Sequence, residues 1–303
     1  MSKAFGFVAY GGPETQEYLD RRIPVPGPGR LLIAVRAAGV NPSDWKIREG
    51  LFGRTKPVPR VLGSEAAGVV RVLGEGVSGF MVGDPVFGIA PEGAFADHVL
   101  LDAGEAARVP DDVTFTQAAT LPVAAATAYD AVDQLGLTPG QVLLVLGVAG
   151  GVGSAAAQIA RSRGITVLGT ARDQAREYVA TLGATQIAYG DGVAERIRAA
   201  APDGVDGVLD LVGGMDAKAA ATTLRTGGRL VSTTDPATAA GLGGEYVKRR
   251  RTGEVLASVA ALVAGGALDP HVSETFALDR AAEAMLAVES GHARGKCVIE
   301  IRG

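Results

Sequence analysis

A cluster of glycines follows an apolar run in the middle of the chain. The stretch "LLVLGVAGGVG" places Val148, Gly150 and Gly153 in the pattern V-x-G-x-x-G. In the dinucleotide-binding fingerprint G-x-G-x-x-G, the second glycine lets the backbone approach a pyrophosphate and the third lets helix and strand pack closely. The first position only tightens the turn. We therefore predict that Gly150, Gly151, Val152 and Gly153 bind phosphates at the N-terminus of a helix containing "SAAAQIARSRG".

A second position selects between the two nicotinamide dinucleotides. About 20 residues further on, the stretch "VLGTARDQAR" has Ala171 near the point where NAD-binding domains usually carry an acid. The hydroxyl of Thr170 and the guanidinium of Arg172 suit a 2′-phosphate, and Arg176 follows in the next helical turn. These residues predict binding of NADP(H). Asp173 supports the alternative, because the preference reverses to NAD if it faces the ribose.

These residues need a parallel sheet to position them. Strand-like apolar runs at 142–147, 165–170, 186–189, 207–212 and 229–234 alternate with segments of helical length. Strands that are apolar on both faces and joined by helices predict a doubly wound α/β domain over residues 123–268. Ligands bind outside the carboxyl ends of such strands. The residues expected to line that crevice are Leu211, Val212, Gly213, Ser232, Thr233 and Thr234.

The two ends of the chain have a different pattern. Up to about residue 120, short β-like runs are separated by Gly, Pro and Asp turns, which predicts a compact, mostly β domain. The last segment has a helical pattern followed by the alternating strand "KCVIEI", which could return to complete that domain. We therefore predict one domain over residues 1–122 and 269–303 and a second over residues 123–268.

Composition restricts the class of protein. The 303 residues are 47% apolar and 20% charged, as in a folded chain, and the net charge of -4 gives no footprint for nucleic acid. The one basic run, 248–251, is interpreted as a solvated helix face. The single cysteine, Cys297, cannot form an internal disulfide and is expected to be buried. The sequence lacks a signal-peptide pattern and any run of ~20 apolar residues, so we expect a cytoplasmic protein without membrane contact.

Several motifs in order resemble a known superfamily. The stretch "GQVLLVLGVAGGVGSAAAQIAR" resembles the signature of the zinc-independent quinone oxidoreductase branch of the medium-chain dehydrogenase/reductases, departing at Val148 where Ala or Ser is usual. The similar stretches elsewhere are "YGGPE", "NPSDWKIREG", "VLGSEAAGVV", "VGDPVFG", "TAYDAV" and "GKCVI". The resemblance implies a Rossmann domain and a GroES-like, mostly β catalytic domain, with the active site in the cleft. It also implies hydride transfer from NADPH and a homodimer through the Rossmann sheet.

The resemblance also bears on zinc. In the alcohol dehydrogenase branch, a cysteine follows the asparagine-proline of the first motif and a histidine precedes the glutamate of the second, but this chain has Ser43 and Ser64 there. Serine is not a credible zinc ligand, and one cysteine cannot build a four-cysteine lobe. We therefore predict no metal. Without one, hydrogen-bond donors or the cofactor's ribose hydroxyl must polarise the substrate carbonyl.

The candidate catalytic residues come from the motif "NPSDWKIREG". The quinone reductase motif has Asn, Asp, Arg, Gly and Tyr at fixed spacing, and this chain matches at Asn41, Asp44, Arg48 and Gly50 but has Phe52 in place of the tyrosine. The resemblance implies that the Asn41 amide donates to substrate or cofactor. It also implies that Asp44 and Lys46 organise the floor of the cleft.

These assignments leave alternatives open. Asp44 could equally cap a loop or pair with Arg48. Trp45 is a core residue or a substrate wall. Thr127, from "TAYDAV", is predicted beside the nicotinamide, with a helix-surface hydroxyl as the alternative. Tyr189 is displaced by one residue from the position of a family tyrosine near the adenosine phosphate.

The expected activity is NADPH-dependent reduction of a small-molecule quinone or α,β-unsaturated carbonyl, because such electron-poor acceptors take hydride without a metal. Two alternatives stay open. One is an enoyl reductase acting on a carrier- or CoA-bound thioester. The other is a low-turnover NADPH-binding redox sensor, which the absence of an unmistakable acid/base pair keeps open.

Overall fold

The computed structural model describes residues 1–291 and 295–301. The strands are β1 Ser2–Phe7, β2 Gln16–Arg21, β3 Arg30–Val40, β4 Arg60–Val61, β5 Glu65–Leu73, β6 Pro85–Ile89, β7 His98–Asp102, β8 Ala106–Arg108, β9 Val142–Leu146, β10 Thr166–Ala171, β11 Ala184–Ala188, β12 Val205–Asp210, β13 Leu224–Ser232, β14 Glu245–Tyr246, β15 Val272–Ala277 and β16 Lys296–Glu300.

The helices are α1 Pro42–Glu49, α2 Phe115–Ala118, α3 Ala126–Leu135, α4 Gly151–Ser162, α5 Arg176–Thr181, α6 Val193–Ala200, α7 Gly214–Ala221, α8 Pro236–Gly241, α9 Gly253–Ala264 and α10 Ala281–Glu289. Contacts divide the chain into two units. The first comprises Met1–Val123, Arg251–Ala264 and Pro270–Gly303, and the second comprises Ala124–Arg250 and Gly265–Asp269.

The first unit is mostly β. A seven-stranded sheet has the order β15-β16-β3-β5-β6-β8, with β7 also paired to β3, and a three-stranded sheet has the order β2-β1-β4. The C-terminal segment belongs to this unit because β16 pairs antiparallel with β3. Its core contains the buried side chains Phe5, Phe7, Leu31, Ile33 and Phe95.

The second unit is built on a six-stranded parallel sheet with the order β11-β10-β9-β12-β13-β14. Numbered within this unit, the order is 3-2-1-4-5-6, which is that of a doubly wound dinucleotide-binding fold. Leu144, Leu146, Leu168 and Val208 are buried between the sheet and its helices. The predicted fold class is therefore confirmed, and the order reverses between β9 and β12, where such folds bind ligands.

Helix α9 lies in the first unit, whereas the strand–helix alternation placed it in the second. It packs against β8, and a Cβ on Gly253 would lie 2.4 Å from the Ala106 carbonyl oxygen. A helical pattern shows that a helix has an apolar face but does not show which sheet covers it. The predicted boundary at residue 268 therefore differs from the observed division over residues 251–264.

The prediction for the basic run was wrong. Residues 248–250 lie in an irregular segment after β14, not on a helix. Arg249 and Arg250 both donate to the buried carboxylate of Asp130, and Arg250 also pairs with Asp133. Sequence spacing could not reveal these acidic partners, which lie about 120 residues earlier in the chain.

The prediction for the single cysteine is confirmed. The Cys297 side chain is buried, and burial raises the pKa of its thiol. Among residues 1–291 and 295–301, no helix has both the length and the apolar character needed to cross a bilayer.

Candidate active site

The glycine turn lies at the carboxyl end of β9. Gly147 adopts φ +83°, so it provides the left-handed residue that the turn requires. Val148 is fully buried, and a Cβ on Gly169 would lie 2.4 Å from its Cγ1 atom. The valine therefore fills the space above a glycine of the neighbouring strand β10. Because Gly147 makes the turn, the position that the fingerprint gives to its first glycine is free to hold an apolar side chain.

The other two fingerprint glycines differ in what surrounds them. A Cβ on Gly153 would lie 2.3 Å from the Gly147 carbonyl oxygen and 2.7 Å from the Val148 Cα, so the helix and the turn pack too closely for any side chain. A Cβ on Gly150 would touch only the Gly147 oxygen, at 3.5 Å. Gly150 is the N-cap of the 12-residue helix α4 and has φ −80°. Its missing side chain leaves an open cradle at the positive end of a helix, which fits a dinucleotide pyrophosphate.

A buried aspartate, Asp210, holds the backbone at the carboxyl ends of β12 and β13. The Asp210 Oδ1 atom accepts from the amides of Val212 (3.0 Å) and Gly213 (2.8 Å), and its Oδ2 atom accepts from Ser232 Oγ (2.8 Å). Its carbonyl oxygen accepts from the Thr233 amide. Four residues predicted to line the crevice are thus joined by one aspartate that the sequence analysis did not select, three through its carboxylate and Thr233 through its backbone carbonyl.

The Gly147 turn lies beside one of these loops. A Cβ on Gly147 would lie 3.7 Å from Val212 Cγ2 and 3.8 Å from Leu211 Cβ. The predicted residues after β9 and β12 therefore meet at one edge of the sheet, where the strand order reverses.

At the carboxyl end of β10, one predicted side chain is buried and three are exposed. Thr170 is buried, and its hydroxyl accepts from the Gly147 amide (3.0 Å), so it supports the glycine turn. Arg172, Asp173 and Arg176 are exposed. Asp173 pairs with Arg176 at 3.5 Å and lies 3.4 Å from the Gln186 amide nitrogen.

Arg172 differs from its two charged neighbours. Within residues 1–291 and 295–301, its guanidinium makes neither an ion pair nor a hydrogen bond. An exposed guanidinium beyond the glycine turn is the kind of group that binds a phosphate monoester. The two other residues on which the cofactor choice depends, Asp173 and Arg176, already partner each other.

Thr127 lies near the start of α3 and is buried, which rules out the alternative of a helix-surface hydroxyl. Its Oγ1 atom accepts from the guanidinium of Arg249, which also donates to Asp130. The threonine hydroxyl is therefore held by a charged neighbour within the second unit.

The first unit contains a buried cluster around Asn41. The Asn41 carboxamide donates to Glu65 Oε1 (2.7 Å) and accepts from Lys296 Nζ (2.6 Å), and Lys296 also pairs with Glu65 Oε1 (3.0 Å). The Val123 amide donates to Glu65 Oε2. The residues Asn41, Glu65 and Lys296 are each at most 5% exposed. Glu65 and Lys296 were not selected by the sequence analysis, which placed Lys296 in the alternating strand "KCVIEI" and noted Glu65 only within the motif "VLGSEAAGVV".

Asp44 lies beside this cluster but uses different partners. Its Oδ1 atom accepts from Ser64 Oγ (2.8 Å) and its Oδ2 atom accepts from the Asn41 backbone amide (2.8 Å), which caps α1. Burial is the main reason that the pKa of Asp44 is raised to about 7; the nearby Glu65 also raises the pKa, whereas the two hydrogen bonds and Lys296 lower it. The site thus holds a carboxyl group that titrates near neutral pH.

The remaining motif residues have other roles. Arg48 is fully buried and makes a bidentate pair with Glu289 on α10 (2.9 and 3.1 Å), so it does not pair with Asp44. Lys46 lies 5.5 Å from the centre of the Trp45 ring. Among the described residues no hydrogen bond or ion pair joins Lys46 to Asp44. Trp45 packs against the core of this unit.

Phe52 and Tyr189 are, like Val148, positions where the chain departs from the family pattern. Both side chains are exposed, Phe52 by 67% and Tyr189 by 50%. Phe52 follows the C-terminus of α1 and offers an apolar ring where the quinone reductases have a phenol. Neither side chain contributes to the buried cluster described above.

Two family models match this chain. Residues 27–111 match the alcohol dehydrogenase GroES-like domain, and residues 182–299 match the zinc-binding dehydrogenases. Human quinone oxidoreductase is 31% identical over 241 residues, which cover 76% of this chain and 72% of that protein. The chain belongs to the medium-chain dehydrogenase/reductase superfamily, in its quinone oxidoreductase branch. Its first unit is the GroES-like domain and its second is the Rossmann domain.

Other relatives carry different names. The human synaptic vesicle membrane protein VAT-1 homolog is 38% identical over 213 residues, which cover 69% of this chain and 54% of that protein. The chain thus spans about half the length of this relative. The polyketide synthase GfsB of Streptomyces halstedii is 38% identical over 291 residues, which cover 90% of this chain and 5% of the synthase.

Solved structures agree with the family. The quinone oxidoreductase from Coxiella burnetii superposes with a TM-score of 0.91 at 31% identity, covering 99% of both chains. A mycobacterial protein, solved as a complex with NADPH, superposes with a TM-score of 0.87 at 28% identity, covering 99% of this chain and 100% of that one.

Proposed function

We propose that this protein is an NADPH-dependent, zinc-independent oxidoreductase that reduces a quinone or an α,β-unsaturated carbonyl. The observation that carries the proposal is the open cradle at Gly150, followed by the exposed guanidinium of Arg172, which has no partner within the described residues. When bound, NADPH supplies the hydride. The turn of residues 150–153 would hold its pyrophosphate, and Arg172 would hold its 2′-phosphate.

The assignment of NADPH rather than NADH rests on charge. Asp173, the acid that could accept from a ribose hydroxyl, already faces Arg176, whereas Arg172 has no such partner in the described part of the chain. A structural relative bound to NADPH supports the same choice. The loops held by Asp210 would complete the cofactor site through Leu211, Val212, Gly213, Ser232 and Thr233, and Thr127 would lie beside the nicotinamide.

Zinc independence rests on the donor set. Ser43 and Ser64 stand at the two positions where the zinc-dependent branch has thiolate and imidazole ligands. The described residues bring together no group of three or more His, Cys, Asp or Glu side chains that could hold a metal ion. Hydroxyl and amide donors are left to stabilise the charge that develops on an acceptor oxygen. Electron-poor acceptors need the least such help, which favours quinones and enones.

The catalytic roles are assigned to the cluster in the first unit. Asn41 has its carboxamide oxygen and one N–H occupied by Lys296 and Glu65, so its second N–H is what it could offer to a substrate or cofactor. Asp44 would supply a proton. Lys46, half-buried beside Trp45, would contribute its positive charge to the floor of the site.

The test is spectrophotometric oxidation of NADPH in the presence of a small naphthoquinone or an enone. We expect turnover with both acceptors and a strong preference for NADPH over NADH. Tight binding of NADPH without turnover across a panel of quinones and enones would refute the enzymatic assignment and leave the redox-sensor alternative.

A second candidate is an enoyl reductase acting on acyl thioesters. The similarity to a polyketide synthase over 90% of this chain favours it. The two candidates differ in their preferred acceptor. A kcat/KM for a 2-enoyl thioester well above that for quinones would favour the enoyl reductase.

The homodimer expected from the family resemblance is also a proposal. In the second unit, β14 lies at one edge of the parallel sheet, and both of its residues are exposed. Sedimentation velocity tests the proposal, because a monomer at micromolar concentration would contradict it.

A further inference from the structure

The pair formed by Asp44 and Ser64 connects a buried acid to the hydroxyl of a half-buried residue. Asp44 is 1% exposed, on the first turn of α1, whereas Ser64 is half-buried, immediately before β5. The Ser64 Oγ atom lies 2.8 Å from Asp44 Oδ1, which is within hydrogen-bond distance for a proton to pass between them. Any proton that leaves Asp44 through Oδ1 must pass by this hydroxyl.

The charges around Asp44 favour its protonated form. Glu65 on β5 and Lys296 on β16 are the charged groups that act on it. The ammonium of Lys296 donates to Glu65 Oε1, Asn41 Oδ1 and the Val40 carbonyl oxygen, so its three donors are directed away from Asp44. Among the described residues, the groups that hydrogen-bond to the Asp44 carboxyl are neutral, namely Ser64 Oγ and the Asn41 amide.

Protonation changes the direction of the hydrogen bond. An ionised Asp44 accepts from Ser64, which then has no proton to offer elsewhere. A protonated Asp44 donates from Oδ1 to Ser64 Oγ, and the hydroxyl proton of Ser64 is then free to point outward. Because burial raises the pKa of Asp44 to about 7, both states are populated near neutral pH.

We propose that Ser64 is a catalytic residue that passes a proton from Asp44 to the reduced acceptor. This inference rests on the proposed function. Once the acceptor has gained a hydride, its negatively charged oxygen takes the proton of Ser64 Oγ, and Ser64 Oγ takes the proton of Asp44 Oδ1. One O–H bond breaks and one forms at Ser64, no electrons move through the relay, and Asp44 is left as a carboxylate that regains a proton from water.

The kinetic test uses an enone acceptor and compares four proteins over the pH range 5 to 9. In the wild type, kcat falls as the pH rises through about 7, because the proton donor is lost. Positioned general acids typically contribute 10²–10⁴-fold, so Ser64→Ala lowers kcat by at least about 100-fold, with little change in KM. Asp44→Asn, which keeps both hydrogen bonds but has no transferable proton, lowers kcat as much. The double variant is no slower than either single variant, since the two groups act as a unit.

Ser43 provides the matched control. Ser43 is half-buried on α1, the helix that also carries Asp44, and within the described residues its hydroxyl has no hydrogen-bond partner. We expect Ser43→Ala to keep the wild-type kcat and pH profile. Thermal unfolding of each variant confirms that it is folded before its kinetics are compared.

Infrared spectroscopy of the protein without NADPH gives a readout independent of turnover. The absorption of a protonated carboxyl should disappear as the pH rises through about 7, and should be absent in Asp44→Asn. In Ser64→Ala it should persist to higher pH, because the Ser64 hydrogen bond lowers the pKa of Asp44. A spectrum that does not change near pH 7 in the wild type would overturn the relay.

The outcomes separate the relay from the proposed function. If the wild type oxidises NADPH and Ser64→Ala does so at the same rate, the relay is overturned and the proposed function is not. Effects of Ser64→Ala and Asp44→Asn that multiply in the double variant also overturn it. A wild type without turnover on any quinone or enone overturns the proposed function and the relay together.

Discussion

The substitution Asp44→Asn should change how the free energy of unfolding of the protein depends on pH. The Asp44 carboxyl is buried, and its pKa rises from 3.8 to about 7, mainly through desolvation. A raised folded-state pKa means that the folded protein binds this proton more tightly than the unfolded chain does. The resulting stabilisation is fully present below about pH 4 and is lost as the pH rises through about 7. An asparagine carries no charge at any pH and can keep both hydrogen bonds.

The size of the effect follows from the pKa. Each pKa unit corresponds to about 1.4 kcal/mol, so the full shift is worth about 4 kcal/mol. The carboxyl of the unfolded chain is already ionised at pH 5, so about 3 kcal/mol of this is lost between pH 5 and pH 8.5. Relative to the wild type, the free energy of unfolding of Asp44→Asn should therefore increase by about 3 kcal/mol over that range.

Urea unfolding followed by tryptophan fluorescence measures this difference. Trp45 is the one tryptophan of the chain and lies in the first unit, so the signal reports on the unit that contains Asp44. The matched control is Asp112→Asn, which makes the same chemical change at an exposed aspartate outside the buried cluster. If the difference between Asp44→Asn and the wild type is constant with pH, Asp44 ionises near its ordinary pKa and the reasoning is refuted.

Four further predictions concern the cofactor, the glycine turn and the metal. NADPH should raise the Tm more than NADH does, and Arg172→Ala should abolish the difference; equal Tm shifts in the wild type would contradict the assignment of NADP. Gly150→Val should keep the fold but lose NADPH binding, as measured by fluorescence titration, because the Cβ of residue 150 enters the open cradle. Gly153→Ala should instead lower the free energy of unfolding by about 1–3 kcal/mol through overpacking. A chelator should leave activity unchanged, and stoichiometric zinc in purified protein would argue against the proposed mechanism.

The parallel sheet was predictable because its strands are apolar on both faces. A buried parallel strand such as β9 gives a continuous apolar run that no surface element would show, and its helices are separated by glycine turns. The edge strand β14 and the position of α9 were harder to predict. The two-residue strand β14 is too short to leave a pattern, and the packing of α9 depends on a tertiary contact with β8 that periodicity does not encode.

The site was predictable only where its chemistry depends on a local spacing. The glycine turn is such a case, because Gly150 and Gly153 act through the backbone of one short segment. Glu65 and Lys296 are the opposite case, since 231 residues separate them and each lies at the start of an apolar strand. A signal was present, because a charged residue at the start of a strand that is otherwise buried needs a partner. Nothing in the sequence says which partner it has.

The charges of the buried cluster do not balance. The cluster has two carboxyl groups and one ammonium, so ionising both acids would leave one negative charge uncompensated away from water. Lys296 pairs with Glu65 at 3.0 Å, and its positive charge also lowers the pKa of Asp44. Replacing Lys296 by methionine should therefore raise the pKa of Asp44 above about 7, so that the proton donor survives to higher pH. We expect Lys296→Met to keep its kcat in the enone assay to a higher pH than the wild type does, while still binding NADPH. A pH profile of kcat identical to that of the wild type would show that Lys296 does not control the protonation of Asp44.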